Sequence, residues 1–567
     1  MAENVVIVGA VALGAKAACR FKRLRQDANV TIIDKDELIL YAGCGIPFYV
    51  AGDVNDETEL RTTSYHILRN EKYFLNDKGI VVMTGTQVTK IDRSNKRVHI
   101  KKGSGEKTDI SYNKLVLSTG SLPRKLDMPG TSLKNVYNVS NLRDAIAIKK
   151  KITQGQVEKA VIIGAGFIGL EMAQALADMW EINTTVVECA DQLMPGCVSR
   201  RISLMVQRYM EKNGVNFHFE ESVRAFEGDQ YVTEVKTNKC TIPADMVVMC
   251  AGVVPDTILA QEAGIETGPG GHIIVNDRMQ TSDPDIFSGG DCVLIKNLVT
   301  GKLAYMPLDA MAYRQGRVIG TNLAGGNARF KGGVGNFVVK IFEKSVAGAG
   351  LSVDVAKKEG FDAISVQVAQ FDRAHFYPEK EIIYLELVAD RKTRTVLGIQ
   401  GWGGKGGEMV GRINAVAPLI MNKARVEDVS NLEMAYSPPF ASAMDIVNAL
   451  GNATENFLDG TYKPMQMEEF VEYWESRHNT DYYLLDCRAH ADAIPFQEKF
   501  PEIWNNIPHD ELERRYEEVP RDKKIILLCN TGLRSYEAQI NLAAHGIDDT
   551  ASVSSGISGL KDCGIEF

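Results

Sequence analysis

The 567-residue chain carries a formal net charge of −9, with 45% hydrophobic and 24% charged residues. These are the proportions of a globular protein and exclude disordered and fibrous classes. The negative balance gives no electrostatic reason to expect nucleic acid as a partner. Ten cysteines are too few for a disulfide-stapled secreted scaffold, so reduced thiols are expected. The apolar start NVVIVGA follows no basic leader, and no run of about 18 apolar residues appears anywhere, so a soluble, cytoplasmic chain without a membrane partner is expected. At one domain per roughly 150 residues, about four domains should follow.

The first segment reads strand, small-residue turn, helix, strand: NVVIVGA, Gly9 to Gly14, a helix through Leu24, then NVTIID ending on Asp34. Such a turn lets backbone approach a pyrophosphate at a helix N-terminus, and an acid about 20 residues on suits a ribose hydroxyl. Val11 stands at the middle position of the fingerprint, where glycine is usual, so this copy is incomplete. The second copy is complete. KAVIIGAGFIGLEMAQAL places Gly164, Gly166 and Gly169 between a strand and a helix, and TTVVE ends on Glu188. Glu188 would bind a free 2′-hydroxyl and repel a 2′-phosphate, which favours NADH over NADPH. Two such folds point to two dinucleotides, a flavin and a nicotinamide.

LVLSTGSLP, with Thr119 and Gly120, resembles the crossover between the two domains of flavoprotein disulfide reductases. DIFSGGDC resembles their second flavin motif, in which Asp291 would bind the ribityl or pyrophosphate region of FAD. With Gly9, Gly14, Asp34 and Lys35, these positions make up the expected FAD set. The first 325 residues thus resemble a pyridine nucleotide-disulfide oxidoreductase, which implies a split FAD domain. In one branch of that family the segment LILYAGCGIPFYVAGD carries two cysteines, whereas here Cys44 stands alone. The resemblance places this thiol over the flavin near a helix N-terminus that favours thiolate, and a lone thiol must cycle through a mixed disulfide, persulfide or sulfenic acid. Leu40 and Gly43 replace residues usual in the CoA-disulfide reductases of the single-cysteine branch.

Residues 326–448 alternate strand-like runs (NFVVKIF, AISVQVAQF, IIYLELVAD, TVLGIQGWG) with one helical stretch, GEMVGRINAVAPLIM. They resemble the family's dimerisation domain, which implies a homodimer. By the same resemblance Tyr377 and Tyr436 would reach across the dimer toward Cys44 as hydrogen-bond or proton donors. After a polar connector, KKIILLCNTGLRSYEAQ carries Cys529 and Arg534 in a loop that matches the CxxGxRS loop of rhodaneses. Backbone N–H groups and Arg534 would there stabilise a thiolate or persulfide. Cys487, Cys250 and Cys240 are expected to be core residues.

The expected fold class is α/β: two Rossmann-like dinucleotide-binding domains, an α+β dimerisation domain and a C-terminal α/β rhodanese domain. The expected division is FAD domain 1–114, NAD domain 115–244, FAD domain resumed 245–325, dimerisation domain 326–448, linker 449–463 and rhodanese domain 464–567. Flavin reductase fused to rhodanese resembles NADH-dependent persulfide reductases and rhodanese-fused CoA-disulfide reductases. The implied activity passes electrons from NADH through FAD to Cys44 and releases hydrogen sulfide from a persulfide or polysulfide. Coenzyme A is the expected thiol carrier, with Arg20, Lys22, Arg23 and Arg61 as candidates for its phosphates. The alternatives are a CoA-disulfide reductase with an accessory rhodanese, and a sulfane-sulfur sensor.

Overall fold

The computed structural model of the chain describes residues 2–479 and 481–567. Their contacts separate them into two compact units: residues 1–191 with 214–335, and residues 192–213 with 336–567.

The first unit holds two parallel five-stranded sheets. In the first sheet the order is Ile286–Ser288, Lys114–Leu117, Asn4–Val8, Asn29–Ile33 and Val81–Met83. Its central strand NVVIV is apolar and buried from Val5 to Val8, as a strand packed on both faces must be. In the second sheet the order is Val215–His218, Asn183–Val187, Lys159–Ile163, Met246–Met249 and Val136–Asn138. Each sheet reverses its winding beside the strand that precedes a glycine turn. Ligands of open parallel sheets lie at the carboxyl ends of strands at such a reversal.

Two expected boundaries shift. The strand Lys114–Leu117 pairs with Asn4–Val8, so the first sheet extends past residue 114. The strand Met246–Met249 pairs with Lys159–Ile163, so the second sheet extends past residue 244. The chain crosses between the sheets through the antiparallel pair Ser121–Pro123 and Val253–Pro255.

In the second unit, residues 337–403 form an antiparallel sheet ordered Phe337–Ile341, Lys344–Gly350, Val396–Gly403, Ile382–Asp390, Ala363–Phe371. The helices Gly407–Met421 and Ile446–Leu458 belong to the same unit. The segment expected as a polar linker, 449–463, is therefore helical through Leu458. Its apolar residues recur at helical spacing, and Ile446, Val447, Leu450 and Thr454 are buried. A parallel five-stranded sheet follows, ordered Pro464–Met465, Thr550–Val553, Lys524–Leu528, Tyr482–Asp486, Trp504–Asn506. Among the described residues no helix is long and apolar enough to cross a membrane.

Candidate active site

The two glycine turns share one geometry. Gly9 and Gly164 each have φ of 106°, a region L side chains avoid. A Cβ on Gly9 would lie 2.1 Å from the Ser118 carbonyl oxygen, and one on Gly164 would lie 2.5 Å from that of Cys250. Gly14 and Gly169 are equally constrained, since a Cβ on either would meet the carbonyl of Gly9 or Gly164 at 2.0 Å. Gly166 differs, because no heavy atom lies within 4 Å of a Cβ built there. Packing does not demand glycine at 166. Open space over the N-terminus of the helix Phe167–Ala177 is the cradle a pyrophosphate would enter, and the site fits a dinucleotide.

The two acids close their turns alike. Ala10 N–H donates to Asp34 Oδ2 at 2.7 Å, and Ala165 N–H donates to Glu188 Oε2 at 2.7 Å. Glu188 accepts a second bond from Ala190 N–H at 2.9 Å. Burial pushes the Asp34 carboxyl up, against the N–H groups of Asp36 and Ala10. Lys35 pairs with Asp256 at 3.0 Å, and Thr119 donates to the Asp256 carbonyl. Asp291 accepts from Ser121 Oγ at 3.1 Å, and burial pushes its carboxyl up. Gly120 has φ of 70° and open space around it.

Cys44 lies in the short turn Gly43–Gly45 that leads into the helix Ile46–Ala51. Ala42 N–H donates to the Leu60 carbonyl at 2.9 Å and anchors this turn, while the buried Leu40 is held at φ of 60°. The thiol is reachable from solvent. It is nevertheless pushed up to about 11, first by partial desolvation and then by the carboxylates of Asp309, Glu171 and Asp291. Burial first, and these charges after it, outweigh the helix end expected to favour thiolate.

Glu171 was not among the expected site residues. It lies two residues past Gly169, on the helix against which Ile46–Ala51 packs, and burial pushes its carboxyl up to about 7. The signal available was its place in the motif GFIGLE.

Of the basic candidates, Lys22 is drawn into its own helix end, donating to the carbonyls of Gln26 and Ala28 at 2.8 and 2.6 Å. Arg20 donates to Thr321 Oγ1 at 3.0 Å. Arg23 is exposed, and Arg61 Nε is buried without a hydrogen-bond partner.

In the second unit, Tyr377 and Tyr436 sit on two segments tied together. Ala374 N–H donates to the Pro438 carbonyl at 3.2 Å, and Ser442 Oγ to the Arg373 carbonyl at 3.2 Å. Behind them the buried guanidinium of Arg412 pairs with Asp445 at 2.9 Å and donates to the Asp372 carbonyl at 2.7 Å. Tyr436 is 51% exposed.

Cys529 is 1% exposed at the end of the strand Lys524–Leu528. Gly532 N–H points at its sulfur at 3.1 Å, and Ser535 Oγ lies 3.5 Å away, itself held by Ser552 at 2.9 Å. Gly532 adopts φ of 102°, which turns that N–H inward before the helix Leu533–Ala544, whose second residue is Arg534. Cys487 is buried as expected, and its thiol is pushed well up by burial and by Cys529. Cys250 is half-buried. Cys240 corrects the expectation of a core residue, being exposed in a tight turn next to polar side chains.

Three families of sequences match the chain. The pyridine nucleotide-disulphide oxidoreductase family matches residues 3–316, its dimerisation domain residues 337–447, and the rhodanese-like domain residues 470–563. A relative from Pyrococcus abyssi named NAD(P)H sulfur oxidoreductase (CoA-dependent) is 31% identical over 443 residues, 78% of this chain and 96% of that protein. The structure of an NAD-dependent persulfide reductase from A. fulgidus superposes with a TM-score of 0.92 at 35% identity, covering 98% of this chain and 99% of that one. The reduced CoADR-RHD of Bacillus anthracis gives 0.89 at 30% identity, covering 99% and 98%.

Proposed function

Because the chain belongs to the pyridine nucleotide-disulphide oxidoreductase family, we propose that it is an NADH-dependent flavoprotein reductase of persulfide or polysulfide that releases hydrogen sulfide. The observation that carries this is one chain holding a reachable thiol, Cys44, in a segment with no second cysteine, and another thiol, Cys529, in a loop that aims an N–H at its sulfur. The net reaction is RSSH + NADH + H⁺ → RSH + H₂S + NAD⁺, with a coenzyme A persulfide as the preferred RSSH.

The turn Gly9–Gly14 with Asp34, Lys35, Thr119, Gly120 and Asp291 would hold FAD, which would supply a two-electron relay between nicotinamide and thiol. Gly164, Gly166 and Gly169 admit the NADH pyrophosphate, and Glu188 takes the ribose hydroxyls. Cys44 attacks the sulfane sulfur, which breaks the S–S bond, frees RS⁻ and leaves Cys44 as a persulfide. Two electrons and two protons then return the Cys44 thiol and release H₂S. The high position of the Cys44 thiol requires a proton acceptor before attack, and Glu171, titrating near neutrality, takes that role. Tyr377 and Tyr436 stabilise the departing thiolate when two copies assemble as a homodimer. Cys529 carries sulfane sulfur, with the Gly532 N–H and the Arg534 charge supporting the anionic form. Arg20, Arg23 and Arg61 are candidates for the phosphates of coenzyme A. All ten cysteines are unpaired, which suits a reducing compartment such as the cytoplasm.

The test is anaerobic sulfide release from CoA persulfide and polysulfide with NADH. Cys44→Ser should lower it by several orders of magnitude. Cys529→Ser should abolish sulfur transfer from thiosulfate to cyanide. Full sulfide release by Cys44→Ser refutes the mechanism, and faster turnover of CoA disulfide than of any persulfide makes the chain a CoA-disulfide reductase instead.

A further inference from the structure

His218, Glu221 and Cys240 form a cluster at one end of the second parallel sheet, and their ligating atoms all lie within 4.8 Å of one another. His218 ends the strand Val215–His218, Glu221 follows three residues later, and Cys240 closes the turn before the strand Thr241–Pro243. His218 Nδ1 lies 2.9 Å from Glu221 Oε2, and Cys240 Sγ lies 3.8 Å from that nitrogen and from both Glu221 oxygens.

The turn is fastened in place. Cys240 N–H donates to Thr237 Oγ1 at 2.9 Å, Ser222 N–H to Asn238 Oδ1 at 2.8 Å, and Asn238 N–H to the Ser222 carbonyl at 3.0 Å. The thiol is thus presented to the imidazole and carboxylate by three residues outside the cluster, Thr237, Ser222 and Asn238. Glu221 is 6% exposed, so its carboxylate is placed under protein while Cys240 remains open to solvent.

Two chemistries use these residue types. A nucleophilic thiol with a histidine base needs one ring nitrogen facing the thiol and the other facing the carboxylate. Here one nitrogen, Nδ1, faces both, so the ring cannot relay a proton between them. A metal ion asks for the opposite arrangement, with one lone pair from each group converging on a point. Bonds of about 2.0 Å to nitrogen and oxygen and about 2.3 Å to sulfur put tetrahedral ligand atoms roughly 3.3–3.7 Å apart, and the observed separations straddle that span.

We propose that His218, Glu221 and Cys240 form a binding site for a borderline-soft divalent cation, Zn²⁺ in the first place, with solvent as fourth ligand. A thiolate and a carboxylate neutralise the ion, and the mixed S, N, O set disfavours Mg²⁺ and Ca²⁺. The site belongs to the nicotinamide half of the molecule and is distinct from Cys44 and Cys529. It is tied to the cofactor acid through the backbone: Glu188 N–H donates to the His218 carbonyl at 2.8 Å, and Glu221 N–H to the Glu188 carbonyl at 3.1 Å.

The test titrates metal-free flavoprotein with Zn²⁺ against a chromophoric chelator, for wild type, Cys240→Ser, His218→Ala and Cys44→Ser. Retained flavin absorbance certifies that each variant is folded. Wild type and Cys44→Ser should bind one Zn²⁺ per protomer, and the other two should bind it at least ~10-fold more weakly. The zinc X-ray absorption spectrum of the wild type should contain one sulfur at about 2.3 Å. Equal affinity in Cys240→Ser and His218→Ala, or a spectrum without sulfur, overturns the proposal.

Discussion

Cys44 is open to solvent and yet reluctant to ionise. Desolvation acts first, and three carboxylates, on Asp309, Glu171 and Asp291, then resist a negative charge at the sulfur. A thiol raised to about 11 is protonated at neutral pH, and its thiolate fraction grows about tenfold per pH unit below that value. Alkylation of Cys44 by iodoacetamide, followed by mass spectrometry of its peptide, should therefore accelerate about tenfold per unit from pH 7 to 9.5. Asp309→Asn removes an opposing charge and should raise the rate at every pH in that range. A rate that levels off below pH 8 would show that the thiol ionises easily and that the carboxylates do not govern it.

At the scale of elements, the strand–turn–helix unit appears twice, and its glycines are there for different reasons. Gly169 is needed by the protein itself, since a Cβ there would meet a backbone oxygen at 2.0 Å. Gly166 is needed for what approaches from outside. Gly166→Ala should leave thermal stability within about 0.5 kcal/mol of wild type while raising the KM for NADH. Gly169→Ala should destabilise the fold itself by well over 1 kcal/mol, as overpacking does. Equal melting temperatures for the two variants would remove the distinction.

These turns were legible because their signal is local: glycine spacing, a preceding apolar strand and an acid one strand later. The nest at Cys529 was legible for the same reason. Groups joined only by packing were not. Glu171 meets the Cys44 region because two short helices 120 residues apart in sequence pack together, and no spacing encodes that. Arg412 and Asp445 behave likewise. The strand Lys344–Gly350 was not among the strand-like runs because KSVAGAG has a single β-branched residue, Val346, among small ones, although five of its residues are buried. Cys240 was expected in the core, but its sequence neighbours Asn238, Lys239 and Thr241 are polar, and the turn fixed by Thr237 and Asn238 leaves it outside.

For the whole molecule the decisive surface is in the second unit. Phe376, Tyr436, Phe440 and Met444 are 66%, 51%, 75% and 55% exposed, all on the two tied segments that carry Tyr377 and Tyr436. Large apolar side chains grouped at the surface mark an interface, and the residues belong to the stretch matched by the dimerisation domain. Burying one phenylalanine there contributes about 2 kcal/mol, so a charge in its place opposes association twice, by lost burial and by an unpaired carboxylate. Arg412 and Asp445 hold the segments within one protomer, so the substitution should leave its fold intact. Phe440→Glu should shift sedimentation from dimer to monomer, keep bound flavin, and lose sulfide release in proportion to the lost dimer. A variant that remains dimeric with full activity would mean that this face is covered by something other than a second copy, and would take Tyr377 and Tyr436 out of the reaction.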